Sequence, residues 1–327
     1  MSVNLTLACG PYDRTVAIAD GRVPLPGIDL TYLSLSAEEI FYRMARHHEF
    51  DAAEMSLSSY TLTLTRDRPF VAVPVFPSRT FRHHAIYVRG DSDITDPCQL
   101  AGGVVGIPEY QMTAAVWVRG ILAEHHGLPI DAVGYRTGGL LEPGRIEKLR
   151  IDVPGVDIRP IGPRDTLSDL LVAGEIDALY TARTPAHFND GSGRIRRLWV
   201  DPQPVEEDYF RRTGVFPIMH TLVLRRDVYE RNRWIANSLL KAFREAKQLA
   251  DEALAETVAL ASMNPWGWAA ADRARAVMGA DVWPYGIDEN RATLTTFLRY
   301  LREQHLVPGD LAPEDLFAPE THDSFAV

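Results

Sequence analysis

The 327-residue sequence predicts an α/β protein of two lobes, and three observations carry this prediction. The length exceeds that of one typical domain of about 100–200 residues. Hydrophobic residues make up 46% and charged residues 24% of the chain, which is enough apolar material for two cores. Segments with strand-like alternation are repeatedly followed by polar turns and helical patterns, the order typical of α/β folds.

The first strand is predicted from alternating apolar and polar residues, and the second helix is predicted from a helix-capping pattern. Residues 3–9 alternate apolar and polar side chains and lead into a turn over 10–15 that opens a short helix. Ser36 and Glu39 have the spacing of a capping box, which predicts a helix ending near residue 47. The other strands predicted in this part of the chain are residues 28–35, 50–56, 71–76 and 83–88.

The strand–helix order restarts after a polar stretch at residues 89–93. Short apolar runs predict strands and longer periodic runs predict helices. The elements predicted here are strands over 104–107, 178–181 and 216–225 and helices over 113–126, 166–173 and 232–262. Short helices joined by aromatic-rich turns complete the chain.

This order predicts a discontinuous first lobe into which a second lobe is inserted. Lobe 1 comprises residues 1–92 and 205–327, and lobe 2 comprises residues 93–204. Each lobe is expected to hold a mixed β-sheet flanked by helices. Two crossovers, near residues 89–95 and 200–206, are expected to form a hinge, and open sheets of this kind bind ligands at the carboxyl ends of their strands.

The charge balance excludes some classes of partner. Acidic residues outnumber basic ones by 44 to 34, so a net charge of −10 repels nucleic acid and anionic lipid. No stretch approaches 18 consecutive apolar residues, and the N-terminus has no basic region followed by an apolar one. We therefore expect a cytoplasmic protein with no membrane partner; a homo-oligomer stays open. On a chain of this net charge, the charge of a small anionic ligand must be balanced by a local arginine cluster or by helix N-termini.

No common cofactor or metal motif is present. The sequence has no GxGxxG, no Walker A lysine motif, no HExxH and no GxSxG. The two cysteines, Cys9 and Cys98, are too few for a disulfide framework or a four-cysteine zinc site. We therefore expect neither a cofactor nor a metal.

Four ionisable residues in strand-like segments could take part in chemistry, with structural roles as open alternatives. His83 and His84 lie in a basic segment over 77–84, where alternation would place them on opposite faces and so argues against joint metal binding. His220 and Glu54 each lie in a segment that is predicted to be buried, and for both a core role and a catalytic role stay equally open.

Several segments resemble 4,5-dihydroxyphthalate decarboxylases. They are residues 50–60, residues 76–83, residues 106–120 with the run Pro-Glu-Tyr-Gln-Met-Thr, residues 216–221, and Trp-Pro-Tyr-Gly-Ile at 283–287. The match spans nearly the whole chain. That family is similar in fold to type II periplasmic solute-binding proteins, which agrees with two hinged lobes. The resemblance implies a carboxy-lyase that converts 4,5-dihydroxyphthalate to protocatechuate and CO2 without a cofactor.

Such a reaction needs a base near a phenol, an acid near the ring carbon and positive partners for two carboxylates. His83 and His220 are the leading proton-transfer candidates, with Glu54 or Glu109 as partner or alternate. Arginines, small polar residues and helix starts are the substrate-binding candidates: Arg14, Arg82 and Arg183, with Arg79 in reserve, and Ser56, Ser58, Tyr110, Gln111 and Thr113.

Two other functions remain open from the sequence. One is a solute-binding protein that holds a small aromatic or carboxylate ligand without catalysis. The other is an enzyme that uses the same fold in pyrimidine or menaquinone-precursor synthesis.

Overall fold

A computed structural model describes residues 2–145 and 153–322, which form two compact units. The first unit contains residues 2–79, 210–296 and 311–322, and the second contains residues 80–209 and 297–310 within these described ranges. No helix in the described part of the chain is long and apolar enough to cross a membrane.

The first unit is built on a five-stranded mixed sheet. Its strands are β1 (Val3–Cys9), β2 (Ile28–Ser34), β3 (Ala52–Ser56), β4 (Phe70–Arg79) and β11 (Ile218–Arg225). The strand order is β2-β1-β3-β11-β4, with β1 parallel to β2 and β3 and with β11 antiparallel to both its neighbours. Every residue of β3 is buried, because this strand lies inside the sheet. The sheet therefore brings β3 and β11 side by side although they are distant in sequence.

Helices cover this sheet. They are α1 (Asp13–Ala19), α2 (Ala37–His47), α3 (Leu57–Leu64), α7 (Arg226–Arg231), α8 (Trp234–Ala255), α9 (Gly267–Met278) and the first part of α10 (Arg291–Glu303). The helix start predicted at Ser36 is confirmed, since Ser36 Oγ accepts from the Glu39 N–H at 3.4 Å, which is one of the two bonds of a capping box. Helix α2 buries Ile40 and Met44 and ends at the left-handed residue His48.

The second unit has a six-stranded sheet. Its strands are β5 (Ile86–Arg89), β6 (Val104–Ile107), β7 (Gly134–Thr137), β8 (Ile158–Pro160), β9 (Ala178–Tyr180) and β10 (Ile195–Arg197), in the order β10-β5-β9-β6-β7-β8. Its helices are α4 (Thr113–His125), α5 (Leu167–Ala173) and most of α6 (Gln203–Thr213). Leu167, Leu171 and Leu179 form part of its apolar core.

The unit boundaries differ from the predicted lobe boundaries, for a physical reason. The sequence predicts the first boundary at residue 92, whereas the units divide at 79/80, because β5 pairs with β9 and β10 of the second sheet. Residues 297–310 also belong to the second unit, where Phe297 stacks on Trp117 at 5.3 Å. The chain therefore passes between units at four places rather than at two crossovers, and the hinge stays a prediction.

Two predicted elements need correction. The strand expected over 83–88 begins only at Ile86, because His83–Ala85 forms a turn of 3-10 helix. The helix expected over 232–262 ends at Ala255 as α8, and a separate short helix, α7, precedes it.

Candidate functional site

Glu54 lies at the centre of a polar cluster in the first unit. It is fully buried in β3, where a carboxylate needs hydrogen-bond donors. Its Oε1 contacts His220 Nδ1 at 2.5 Å and accepts from the Tyr12 hydroxyl at 2.7 Å. Its Oε2 accepts from the Gly10 N–H at 2.9 Å and from the Cys9 thiol at 3.6 Å. Four donors thus surround one buried carboxyl group.

The sheet register produces the contact between Glu54 and His220. On β11, Leu222 lies opposite Glu54 and His220 lies opposite Ser56. Glu54 and His220 are therefore diagonal neighbours on one face of the antiparallel pair. The His220 side chain is 18% exposed, and Phe41 packs edge-on against its ring at 4.8 Å. One face of this histidine is therefore fixed while part of the ring reaches solvent.

The hydrogen bonds keep Glu54 ionised. Burial by itself raises the pKa of the Glu54 carboxyl, but the bond and charge of His220, with the bonds from Tyr12 and Gly10, outweigh it and hold this pKa below its ordinary value. An ionised carboxylate only accepts hydrogen bonds, so His220 Nδ1 is the donor. The other ring nitrogen, Nε2, is then the atom that can exchange a proton with a ligand.

Tyr12 is positioned by the turn between β1 and α1. Its backbone N–H donates to the Gly10 carbonyl at 3.0 Å and to Thr15 Oγ1 at 3.2 Å. A Cβ on Gly10 would lie 2.6 Å from the Tyr12 ring, so the ring can approach only a glycine. This packing directs the phenol toward Glu54.

Arg14 lies between two aromatic rings. Its guanidinium carbon is 4.4 Å from the Tyr12 ring centroid and 4.2 Å from that of Trp283. Nε and Nη2 donate to the Pro77 carbonyl at 2.8 and 2.5 Å, and Nη1 donates to Asp13 at 2.9 Å. A guanidinium has five N–H donors. Two of those on Arg14 therefore have no partner among the described residues, and they can bind a carboxylate.

Ser56 and Ser58 lie where β3 ends and α3 begins. Ser56 Oγ accepts from the Ser59 N–H at 3.4 Å and so caps α3. Ser58 is fully buried in the first turn of the helix. Because Ser56 is also paired with His220, the helix start lies beside the Glu54–His220 contact.

Arg79 has a structural environment within the first unit. Its Nη1 donates to the Pro284 carbonyl at 3.1 Å and to Asn290 Oδ1 at 2.6 Å, and its Nη2 donates to the Phe216 carbonyl at 2.7 Å. Burial lowers the pKa of this guanidinium to about 9. These bonds fix the loop that carries Trp283, and a role for Arg79 in substrate binding stays a prediction.

The second unit brings two of the other candidates, Glu109 and Gln111, into contact. Glu109 Oε1 accepts from Arg145 Nη2 at 2.7 Å and from its Nε at 3.2 Å, and Oε2 accepts from Gln111 Nε2 at 3.1 Å. The Tyr110 hydroxyl is buried and has no hydrogen-bond partner among the described residues. Thr113 begins α4, whose N-cap residue makes no side-chain hydrogen bond to the helix.

His83 and His84 lie in a 3-10 turn rather than in the predicted strand. Their side chains nevertheless have different surroundings. His83 is 1% exposed and packs against the rings of Tyr209 and Trp199 at 5.1 and 5.5 Å. His84 is partly exposed, and its Nδ1 lies 2.9 Å from Glu206. This arrangement agrees with the expectation that they do not face one site together.

The last two arginine candidates differ in exposure. Arg82 is buried, and this burial lowers its pKa to about 10. Arg183 is exposed, in a turn where its N–H donates to Thr181 Oγ1 at 3.1 Å. Within the described residues, no group of three or more His, Cys, Asp and Glu side chains could hold a metal ion.

Tyr12 and Trp283 belong to this cluster, although neither is among the site residues that the sequence predicts. Tyr12 falls in the turn over 10–15 that the sequence singles out, and Trp283 falls in a segment that carries the resemblance. The sequence does show that Arg14 follows Tyr12 by two residues, so a contact between them could be considered. The contact of Tyr12 with Glu54 could not, because it arises only when the sheet has formed.

Two curated relatives match the chain, one of them over nearly its whole length. No protein-family model matches it. A 4,5-dihydroxyphthalate decarboxylase of Comamonas testosteroni is 38% identical over 327 residues, which is 99% of each chain. A 4,5-dihydroxyphthalate decarboxylase of Pseudomonas putida is 43% identical over 211 residues, which is 64% of this chain and 82% of the relative.

Solved structures confirm the predicted fold. The periplasmic aliphatic sulphonate binding protein SsuA of Escherichia coli matches with a TM-score of 0.54 and 14% identity, over 98% of this chain and 99% of SsuA. A Candida albicans protein with the generic periplasmic binding protein fold matches with a TM-score of 0.52 and 11% identity, over 94% and 92% of the two chains. The chain therefore has the type II periplasmic-binding-protein-like fold.

Proposed function

The chain belongs to the 4,5-dihydroxyphthalate decarboxylase family, and from this premise we propose that it is a carboxy-lyase that converts 4,5-dihydroxyphthalate to protocatechuate and CO2. The observation that carries the proposal is the relationship over 99% of both chains. The resemblance that the sequence predicts is thereby confirmed. The geometry of the first unit supplies groups suited to this chemistry.

Decarboxylation of an aromatic ring needs a proton before the carboxylate leaves. Direct loss of CO2 would leave an unstabilised aryl anion. A hydroxyl para to the carboxylate offers another route: loss of the phenolic proton moves electron density to the carbon that bears the carboxylate. That carbon accepts a proton, the C–C bond breaks, and its electron pair restores the aromatic ring as CO2 departs.

His220 is the proposed proton-transfer group. Its Nδ1 is held by Glu54 at 2.5 Å, so the ring orientation is fixed and Nε2 is the reactive atom. The Glu54 carboxylate accepts from Nδ1 and so fixes the tautomer and the direction of the ring, which leaves Nε2 to exchange a proton with the substrate. Glu54 itself is fully buried, and we assign it the role of orienting and stabilising His220.

Arg14 is the proposed partner of a substrate carboxylate in this unit. Its plane is fixed by the Tyr12 and Trp283 rings, and two N–H groups without described partners are left to form charge-assisted bonds. Ser56 and Ser58 at the start of α3 add hydroxyl and helix-terminus dipoles that favour an anion.

Candidates of the second unit remain part of the proposal. Arg82, Arg183, Tyr110, Gln111 and Thr113 are proposed to bind the substrate, with Arg79 of the first unit in reserve, and His83 is proposed to serve in proton transfer. Glu109, the alternate to Glu54, is held in an ion pair with Arg145 and is proposed to contribute less to turnover than Glu54. His83→Asn tests the most specific of these roles. We expect retained binding and lost turnover, whereas full activity in this variant would remove His83 from the mechanism.

The reaction is tested by incubating the purified protein with 4,5-dihydroxyphthalate and following CO2 and protocatechuate, with and without a chelator. We expect the two products in equal amounts. Ligand binding without turnover would instead support a solute-binding protein, and loss of turnover with chelator would point to a metal.

The assignment of His220 is tested with a matched pair of variants. His220→Asn should lower kcat by about 10²–10⁴-fold while the substrate Kd changes little, because only proton transfer is removed. His84→Asn breaks another His–Glu pair, with an Nδ1–Oε1 distance of 2.9 Å, and should keep near-normal activity. Near-normal turnover in His220→Asn would reject the assignment.

A further inference from the structure

We propose that Tyr12 is a positioning residue that links the proton-transfer pair, Glu54 and His220, to the carboxylate-binding Arg14. This inference deepens the proposed function and rests on it. Tyr12 does not appear among the residues that the sequence singles out, and it contacts both parts of the candidate site.

The phenol of Tyr12 acts on the proton-transfer pair. It donates to Glu54 Oε1 at 2.7 Å, and the same oxygen lies 2.5 Å from His220 Nδ1. Two donors that share one oxygen compete for its electron density. Without the phenol, Glu54 Oε1 is a stronger acceptor for His220 Nδ1. The orientation of the His220 ring and the proton affinity of the Glu54–His220 pair therefore both change.

The ring of Tyr12 acts on Arg14. The guanidinium carbon lies 4.4 Å from the ring centroid, within the range of a cation–π contact. The ring is itself held against Gly10, where a Cβ would come within 2.6 Å. Tyr12 thus packs against one face of the Arg14 guanidinium, and Trp283 packs against the other ring-contacting side.

The charges around the phenol fit this role. Burial, with the charge and hydrogen bond of Glu54, raises the pKa of the Tyr12 hydroxyl well above its ordinary value, so it stays a donor through the neutral range. Among the described residues, the other titratable groups that act on the carboxylate or the phenol are Cys9, Arg14, Tyr32 and His220. Burial and Glu54 also raise the pKa of the Cys9 thiol, so it too stays protonated.

The two functions of Tyr12 can be separated by substitution. Tyr12→Phe keeps the ring and removes the hydroxyl. We expect kcat to fall about 10–100-fold, the size of one hydrogen bond to a charged group, with KM changed less than about threefold. The pH–rate profile should move to higher pH, because Glu54 loses a donor that favours its ionised form.

Tyr12→Leu removes the ring as well. We expect the same loss in kcat together with a rise in KM of about 3–10-fold, because Arg14 loses one of its two stacking partners. Tyr229→Phe is the matched control, since Tyr229 donates to Glu320 at 2.6 Å elsewhere in the first unit and should leave both constants unchanged.

A readout without substrate separates this inference from the proposed function. The ring C–H signal of His220, assigned by its loss in His220→Asn, reports the titration of the Glu54–His220 pair by NMR. We expect its midpoint to move upward in Tyr12→Phe and to stay in place in Tyr229→Phe. An unmoved midpoint would overturn the role of the phenol, and an unchanged KM in Tyr12→Leu would overturn the link to Arg14. Failure of the decarboxylase assay with a shifted midpoint would reject only the proposed reaction.

Discussion

Glu54 and Glu109 are buried glutamates that occupy similar places in the two units, yet their partners differ. Glu54 lies in β3 of the first sheet, and Glu109 lies two residues after β6 of the second. Their exposed fractions are 0% and 4%. Glu54 is bound by a histidine, a phenol and two further donors, whereas Glu109 is bound by Arg145 and Gln111.

The partner, rather than the burial, determines what each carboxylate can do. A histidine can pass a proton onward, so Glu54 can orient a group that takes part in chemistry. Arginine keeps its proton under all ordinary conditions, so Glu109 and Arg145 form a fixed ion pair. The comparison therefore predicts that Glu54 supports turnover and that Glu109 supports local structure.

The largest expected effect separates the two glutamates by activity. Glu54→Gln should lower kcat by about 10²–10⁴-fold, because His220 loses its orienting charge. Glu109→Gln should lower it less than about tenfold, because no proton-transfer group is bound there. Steady-state kinetics on both variants measures the difference. Equal losses would show that Glu109 also takes part in the chemistry and would break the comparison.

A stability measurement tests the ion pair of the second unit. Arg145→Met leaves the Glu109 carboxylate buried and short of a donor, and we expect the free energy of unfolding to fall by about 1–3 kcal/mol. The side chain of Arg145 is 26% exposed, which keeps the effect below that of a fully buried pair.

Arg231 provides the control for this measurement. Arg231→Met breaks the pair with Asp227, in which both side chains are more than half exposed, and it should change stability by less than about 1 kcal/mol. Urea unfolding of the two variants gives the comparison. A loss in Arg145→Met no larger than in Arg231→Met would show that the Glu109 pair is as weak as a surface pair.

The smallest effect concerns the pH dependence of stability. The pKa of Glu54 lies below its ordinary value of 4.5 in the folded protein, so its contribution to stability is present above that value and is lost as the pH falls through the folded pKa. The stability difference between wild type and Glu54→Gln should therefore shrink below about pH 4.5. Urea unfolding at several pH values measures it, and a difference that grows on acidification would contradict the assigned direction.

Local patterns made much of the fold predictable. Residues 3–9 alternate as a strand and form β1, and the Ser36 cap starts α2 as expected. The start of β5 could not be predicted from local patterns, because the sequence of the turn at His83–Ala85 also fits a strand. Likewise, pairing of β5 with β9 and β10, rather than any local feature, places residues 80–92 in the second unit.

The candidate site was predictable only in part, for the same reason. Glu54 and His220 can be chosen as ionisable residues in apolar strands, but 166 positions separate them, and only the sheet register brings them into contact. Glu109 is chosen from the turn that follows the predicted strand over 104–107, and its contact with Arg145 is not visible in the sequence. Tyr12 has no feature of its own in the sequence that shows it reaching a carboxylate.

The position of β11 between β3 and β4 has a consequence for biosynthesis. Strand β4 ends at Arg79, whereas β11 begins at Ile218, so the ribosome delivers both neighbours long before the strand that joins them. In the meantime β3 and β4 present unpaired edges, which are templates for aggregation. Until the central strand has emerged, and with it His220, these two edges of the nascent chain have no partner strand, and aggregation through them is favoured in this interval.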